Sequence, residues 1–236
     1  MPAPALPEIR PYEAADREAL RRLCCATAYG ERPLAELFPD PALFADLMTR
    51  YHTDWEPGST LVARGEATAG GIAGYLCGAR NTSRQRRVQA LCVVPAALLR
   101  FTLRGGLLRR STWRLIGANS DRILPRRGLG SGDLMPWLAL YPAHLHIALA
   151  REARGRGLGR RLVETFLAQL AAAGVPGVHA VVREENAGAG RFFERLGFRP
   201  LARGPALRLP GDRRPGPYTV VYGRSVGARP APGSTP

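Results

Sequence analysis

The chain contains no lysine. All 34 basic residues are arginine, set against 19 acids, for a formal net charge of +15 in 236 residues. Such one-sided usage has the form of a codon-composition bias, which inflates positive charge without selection for a polyanion. Cysteine is scarce as well, at positions 24, 25, 77 and 92. Adjacent Cys24 and Cys25 make a poor disulfide pair, and neither CxxC nor a Cys/His spacing suggests zinc. No metal is therefore expected, and the cysteines read as small apolar residues of a reducing compartment. No apolar run approaches the roughly 20 residues of a membrane span. The start, MPAPALPEIRPYEAADREALRRL, lacks the basic-then-apolar order of a secretory signal. These absences lead to the expectation of a soluble, cytoplasmic protein. What is plentiful is apolar surface, 45% of residues, enough to exclude wholesale disorder and to core one domain carrying an insertion.

The positive charge is uneven. Residues 80 to 130 hold 12 arginines and a single acid, Asp121, for +11, while the rest of the chain holds 22 arginines and 18 acids, for +4. Basicity thus belongs to one segment, which could face an anionic ligand, a membrane or a nucleic acid. The segment, 80 to 132, offers helix candidates in PAALLRFTLRG and GGLLRRSTWRLIG, then the loop PRRGLGSGD. No Lys-Ser/Thr follows its glycines Gly128, Gly130 and Gly132, so a P-loop is not supported.

On either side of it the pattern is more regular. A strand is expected at Ile9 to Tyr12, then a helix with Asp16 near its start and Leu20 and Leu23 on one face. PALFADLMTRYHTD gives a second helix, with Leu43, Phe44, Leu47, Met48 and Tyr51 as its stripe. STLVARGEATAGGIAGYLCGA reads as strand, turn at Gly65–Glu66, and strand from Ile72 to Cys77. Further strands are expected at about Leu145 to Ala150, at Val178 to Val182, and in YTVVYG, 218 to 223. Helices are expected from Gly157 to Ala173 and from near Asn186 to Gly197, and GARPAPGSTP reads as a disordered tail. The domain is taken as 8 to 224, with 225 to 236 as the tail.

ARGRGLG, 153 to 159, joins one of those strands to a helix. Such a turn aims unpaired backbone N–H groups at one point, the helix dipole adds partial positive charge, and glycine lets oxygen atoms approach the backbone; a phosphate is the natural ligand. Arg154, Arg156, Arg160 and Arg161 surround the turn and can pair with phosphate oxygens. A dinucleotide-binding turn fits less well: the spacing is Gly155, Gly157, Gly159, the element lies late in the chain, and Val178 and His179 stand where an acid is wanted.

Arg154-x-x-Gly157-x-Gly159 after a strand, followed by an amphipathic helix, a strand and NAGAGRFFERLGF, closely resembles the GNAT superfamily of acyl-CoA-dependent N-acetyltransferases. YPAHLHI further resembles bacterial members related to the acetyltransferase-like domain of O-GlcNAcases. The resemblance runs from about Pro142 to Leu201, extends to 8–25 and 60–77, and is absent over 80–132. It implies an α/β fold with a mixed, mostly antiparallel central sheet flanked by helices, and a basic insertion between the third and fourth strands. It implies acetyl-CoA as co-substrate. The backbone of Ile147, Ala148 and Leu149 would pair with the pantetheine arm, and the amides of Gly155, Arg156, Gly157, Leu158, Gly159 and Arg160 would hold the pyrophosphate. Asn186 would contact the cofactor near its reactive end, alongside an N-cap role. The family often carries Tyr as the proton donor for the departing thiol where this sequence has Phe193, and a phenyl ring cannot donate.

Acetyl transfer to an amine requires a neutral nucleophile, because an ammonium with a pKa near 10.4 has no lone pair, and a donor to the carbonyl oxygen as it becomes negative, which a free amide on 147–149 could supply. His144 and His146 alternate with Leu145 and Ile147 and should share one face of their strand. The stretch resembles the His-x-His strand of arylalkylamine N-acetyltransferases, which makes the pair the candidate bases. His179 reads as structural, Glu184 and Glu185 as loop acids. The expected partner is a small-molecule or protein amine, not a specific nucleic acid, with homodimer formation as in many relatives. Two other readings stay open: an acyl-CoA-binding module without catalysis, which Phe193 permits, and a nucleic-acid or membrane-surface binder driven by the basic segment.

Overall fold

In a computed structural model, described for residues 7–29, 33–65, 71–119, 136–209, 212 and 216–227, the chain forms one seven-stranded sheet between two helical layers. The strands are β1 (Ile9–Pro11), β2 (Thr60–Arg64), β3 (Ile72–Ala79), β4 (Ala143–Leu149), β5 (Gly177–Arg183), β6 (Arg199–Pro205) and β7 (Tyr218–Ser225), in the order β1-β2-β3-β4-β5-β7-β6. All neighbours are antiparallel except β4 and β5. The mixed, mostly antiparallel sheet expected from the sequence is therefore what forms.

One face of the sheet receives α7 (Leu158–Ala172) and α8 (Ala187–Arg195). Leu158, Leu162, Val163, Phe166 and Leu170 pack there on Leu61, Leu76, Leu145 and Val178. The other face receives α1 (Arg17–Thr27), α3 (Pro41–Asp54) and α5 (Val94–Leu103), through Leu20, Phe44, Ala97 and Phe101 on Val62, Tyr75 and Cys77. β3 is buried along its whole length, as a strand covered on both sides must be. The start of α3 follows from Asp40, whose carboxylate accepts the N–H groups of Ala42 and Leu43, and from Pro41 in the first turn, where no N–H is needed.

Three elements escape the periodicity of the sequence. α2 (Leu34–Leu37) is a single turn. α4 (Thr82–Val88) carries no apolar stripe; Asn81 caps it by accepting the Arg84 N–H at 2.9 Å, and a π-helical turn, Gln89–Val93, runs it into α5. β6 holds Pro200 and Pro205, which a central strand excludes, but it lies at the sheet edge, where no further ladder needs their missing N–H, and its pairing with β7 slips between Pro200 and Ala202. α6 (Arg110–Ala118) completes the segment between β3 and β4. The loop PRRGLGSGD and the tail from 228 lie outside the described residues. Cys24 and Cys77 are buried and Cys25 is half-buried, as small apolar residues are, but Cys92 is exposed, contrary to the expectation of buried or half-buried cysteines.

Candidate active site

β4 and β5 are the only parallel neighbours among the described strands, and they pair for just two positions, Ala143 with Val178 and His144 with His179. On its other side β4 pairs with β3 for six positions, from Gly74–Leu149 to Ala79–His144. Beyond His144 the edge of β4 that faces β5 is therefore open, and the residues along this opening are Ile147, Ala148 and Leu149. β4 leads straight into the glycine turn.

In that turn Gly155 and Gly157 have φ of 76° and 75°, the left-handed region that glycine alone enters without strain, and a Cβ at either would meet no atom within 4 Å. The space over the turn is open. The backbone amides of Gly155, Arg156, Gly157, Leu158, Gly159 and Arg160 donate to no acceptor among the described residues. Six consecutive unpaired donors at a helix N-terminus form an anion-binding concavity. Gly159 has a different reason to be glycine: a Cβ there would lie 3.2 Å from Leu149 and from the ring of Phe192, so its absence lets α7 pack close to β4 and α8. Of the arginines, Arg154 anchors the turn through Nε to the Leu149 carbonyl at 3.2 Å, Arg160 pairs with Glu164 at 2.7 Å, and Arg161 donates to Pro7. Arg156 is exposed.

Register puts His144 opposite Ala79 and His146 opposite Cys77 on the face away from α7, as alternation predicts. All four histidines of the chain gather on this side. His144 lies 5.1 Å from the ring of His179, and His146 lies 5.9 Å from Tyr75. His52 donates through Nδ1 to the Gly78 carbonyl, 2.8 Å away, and His179 through Nδ1 to the Tyr141 carbonyl, 2.9 Å away. Each of the two β4 imidazoles keeps some accessible surface, but dense surroundings disfavour the charged form. Burial, reinforced by the neighbouring His52, lowers the pKa of His146 to about 4. Burial and then His179, His52 and His146 lower that of His144 well below the usual histidine range. Nδ1 of His144 is buried with no hydrogen-bond partner among the described residues. Both rings are neutral at pH 7, acceptors rather than cations.

Asn186 caps α8, accepting the Ala189 N–H at 3.1 Å, and borders a cleft of about 280 Å³ with Val182, Gly190 and Tyr222. Phe193 is not at the open mouth. It is buried against Phe198 at 5.1 Å and stacked on Tyr222 at 6.2 Å, while its neighbour Phe192 faces Gly159. The signal in the sequence was the FF pair; which ring turns inward depends on β7, which no local pattern reveals. Glu184 is held by Arg203 through two bonds of 2.8 Å and Glu185 by Arg183 at 3.0 Å, so both acids are engaged in surface pairs.

Residues 128–198 match the family model of the acetyltransferase (GNAT) family. The whole fold is similar to the crystal structure of SsHAT, at 29% identity and a TM-score of 0.65, over 94% of this chain and 99% of that one. It also shares its fold with a GCN5-related N-acetyltransferase from Kribbella flavida (20% identity, TM-score 0.55, 94% and 99% covered). A phosphinothricin acetyltransferase from Sinorhizobium meliloti, determined in complex with AcCoA, is a further fold neighbour (18%, 0.52, 98% and 94%). The match thus runs through the splayed strands and the glycine turn, and over the rest of its length the chain shares the fold of GNAT N-acetyltransferases.

Proposed function

We propose that the protein transfers the acetyl group of acetyl-CoA to a primary amine by direct attack, with both substrates bound together. The observation that carries this reading is the row of six amides, 155 to 160, that have no acceptor among the described residues and follow the open edge of β4. The residues present suit the cofactor: the amides and Arg156 would hold its pyrophosphate, the open edge of Ile147, Ala148 and Leu149 its pantetheine arm, and Asn186 would stand near its reactive end. When bound, acetyl-CoA supplies an acyl group activated as a thioester. The protein's own part is to orient the acceptor and to take its proton. His146, neutral at pH 7, offers a lone pair to the acceptor N–H, with His144 behind it on the same face. A base of such low pKa does not strip a free ammonium. It favours binding of the neutral amine, and accepts the proton once bond formation has made that nitrogen acidic.

A second reading, cofactor binding with little catalysis, is favoured by Phe193, which offers no proton and lies inside an aromatic cluster. One assay separates the two: the pure protein with acetyl-CoA and a panel of amines, with binding followed by thermal shift and turnover by thiol release. Stabilisation with thiol release supports transfer, stabilisation without it supports the binding module, and no stabilisation at millimolar acetyl-CoA rejects both.

A further inference from the structure

The segment between β3 and β4 is fixed on its inner side and bare on its outer side. Ala97 and Phe101 of α5 enter the core, Gln89 donates to the Leu47 carbonyl at 2.6 Å, and Arg109 donates to the Pro39 carbonyl at 2.6 Å. Beyond α6, Asn119 and Arg208 exchange two bonds of 2.9 Å, tying the segment's end to the loop after β6. The outer surface has the opposite chemistry to what a solvated face should show. Among the described residues eleven large hydrophobic side chains are exposed, and eight of them fall between 91 and 116. Leu98, Leu99 and Leu103 are exposed on α5, whose Ala97 and Phe101 are buried, and Leu107, Leu108 and Trp113, in the residues that follow, are exposed as well. Leu108 is 88% exposed and Leu103 77%. Trp113 stands against this linker through a bond from Nε1 to the Leu107 carbonyl, 2.8 Å. A soluble monomer does not ordinarily leave such a patch to water.

The charge around the patch identifies its occupant. Residues 82 to 119 contain eight arginines and no acid; Arg100 and Arg109 turn inward to Asp46 and Asp40, and the other six leave the segment strongly basic. A second copy of the chain would bring the same charge to the same face and be repelled. A nucleic acid would satisfy the arginines but leave the leucines and Trp113 in water. α5, at ten residues, is too short to span a bilayer, which takes roughly 20 residues, but it suits the boundary between headgroups and acyl chains. There leucine side chains enter the apolar layer, tryptophan sits at headgroup level and arginine pairs with lipid phosphate. We infer that the outer face of α5 and α6, with Leu98, Leu99, Leu103, Leu108 and Trp113 framed by arginines, docks the protein on anionic phospholipid membranes. This inference does not depend on acetyl transfer.

The test is flotation of the full chain with vesicles of phosphatidylglycerol and phosphatidylcholine, beside vesicles of phosphatidylcholine alone. Binding to the anionic vesicles should exceed binding to the neutral ones by about tenfold or more and should weaken as added salt screens the arginines. Leu99→Ser/Leu103→Ser/Leu108→Ser should lower it about tenfold with melting temperature and acetyl-CoA response unchanged, since all three side chains are in solvent. Binding should also shift the emission of Trp113 to the blue, a change absent in Trp113→Phe. Equal binding to both vesicle types, full binding by the triple variant or an unmoved Trp113 would overturn the proposal. So would capture by an acidic amphipathic peptide with the vesicles ignored, which would make the face a protein-docking surface.

Discussion

The two faces of β4 follow different rules. Ala143 and Leu145 point into the interface with α7, within a cluster of buried apolar residues. His144 and His146, one residue along, point to the side of α1 and α3, where an imidazole nitrogen is buried without a partner among the described residues. The first face is built for stability and the second gives some up. An orphaned polar atom costs on the order of 1–3 kcal/mol, and a fold retains that cost where the group has something to do. Under the proposed function one strand would serve two substrates: its apolar face fixes the strand to α7 and so to the glycine turn, while its polar face would confront an acceptor entering from the other side.

The comparison breaks first at Phe166, which is fully buried on the apolar face. Its ring lies where a Cβ at Gly78 would have to stand, 2.3 Å from Cε2, so it packs directly on the β3 backbone. Phe166→Ala should cost about 3–5 kcal/mol by urea denaturation. His146→Ala, on the other face, should cost less than about 1.5 kcal/mol. Equal losses would mean that both faces are ordinary core.

Next in size is the turn. An aspartate at Gly157 combines a strained left-handed residue, about 1–2 kcal/mol, with a carboxylate in the open space where the amides converge. Gly157→Asp should weaken acetyl-CoA by about 100-fold or more, because it replaces an anion site with an anion. The free protein should stay folded with a modestly lower melting temperature. Gly157→Ala, which brings the strain without the charge, should lose much less. A ligand-induced shift that survives in the aspartate variant would move the phosphate site elsewhere.

How far the sequence carried is visible in these same residues. The turn, α3 and α7 could be read because each is marked locally, by glycines, by the Asp40–Pro41 start, and by an apolar residue every third or fourth position. The alternation of His144 and His146 gave their shared face. It could not give their pKa values, because what removes the water comes from α3, β5 and the segment before β4. Nor could it give the divergence of β4 from β5, which is a relation between strands. β6 was hidden by its prolines, and α4 by its arginines, since a helix held by a cap and by its neighbours needs no stripe of its own.

The polar face should also report itself through pH. His146, with a pKa of about 4 when folded, and His144, lowered by burial well below the usual histidine range, bind protons more readily in the unfolded chain, where histidine titrates near 6.5. Their contribution to stability is complete above about 6.5 and is lost as pH falls through about 4. The melting temperature should therefore be flat from pH 7 to 8 and fall below 6.5, and His144→Gln/His146→Gln should flatten that fall. The same double variant should lower acetyl transfer by about 10²-fold, the low end for a general base. Unchanged turnover with a flattened acid limb would make the two imidazoles structural and leave proton removal to water.

Phe193→Tyr is the smallest step and the sharpest one for mechanism. The change adds one hydroxyl where the sequence departs from the family pattern. In an open site that hydroxyl would reach the departing thiol and raise turnover, within the range of about 10²- to 10⁴-fold that general acids supply. Phe193 is instead enclosed, 4% exposed, with Phe192, Phe198 and Tyr222 around it. A hydroxyl placed there must find a partner or remain dry, and a dry hydroxyl costs about 1–3 kcal/mol. Tyr222 directs its own hydroxyl to Glu194 at 3.4 Å. The expected outcome is a lower melting temperature with turnover changed less than about threefold, since a thiol with a pKa near 8.5 leaves as thiolate without help. A large gain in turnover at unchanged melting temperature would show that α8 turns Phe193 toward the substrates during the reaction, and would restore to this position the proton donor that its family pattern assigns.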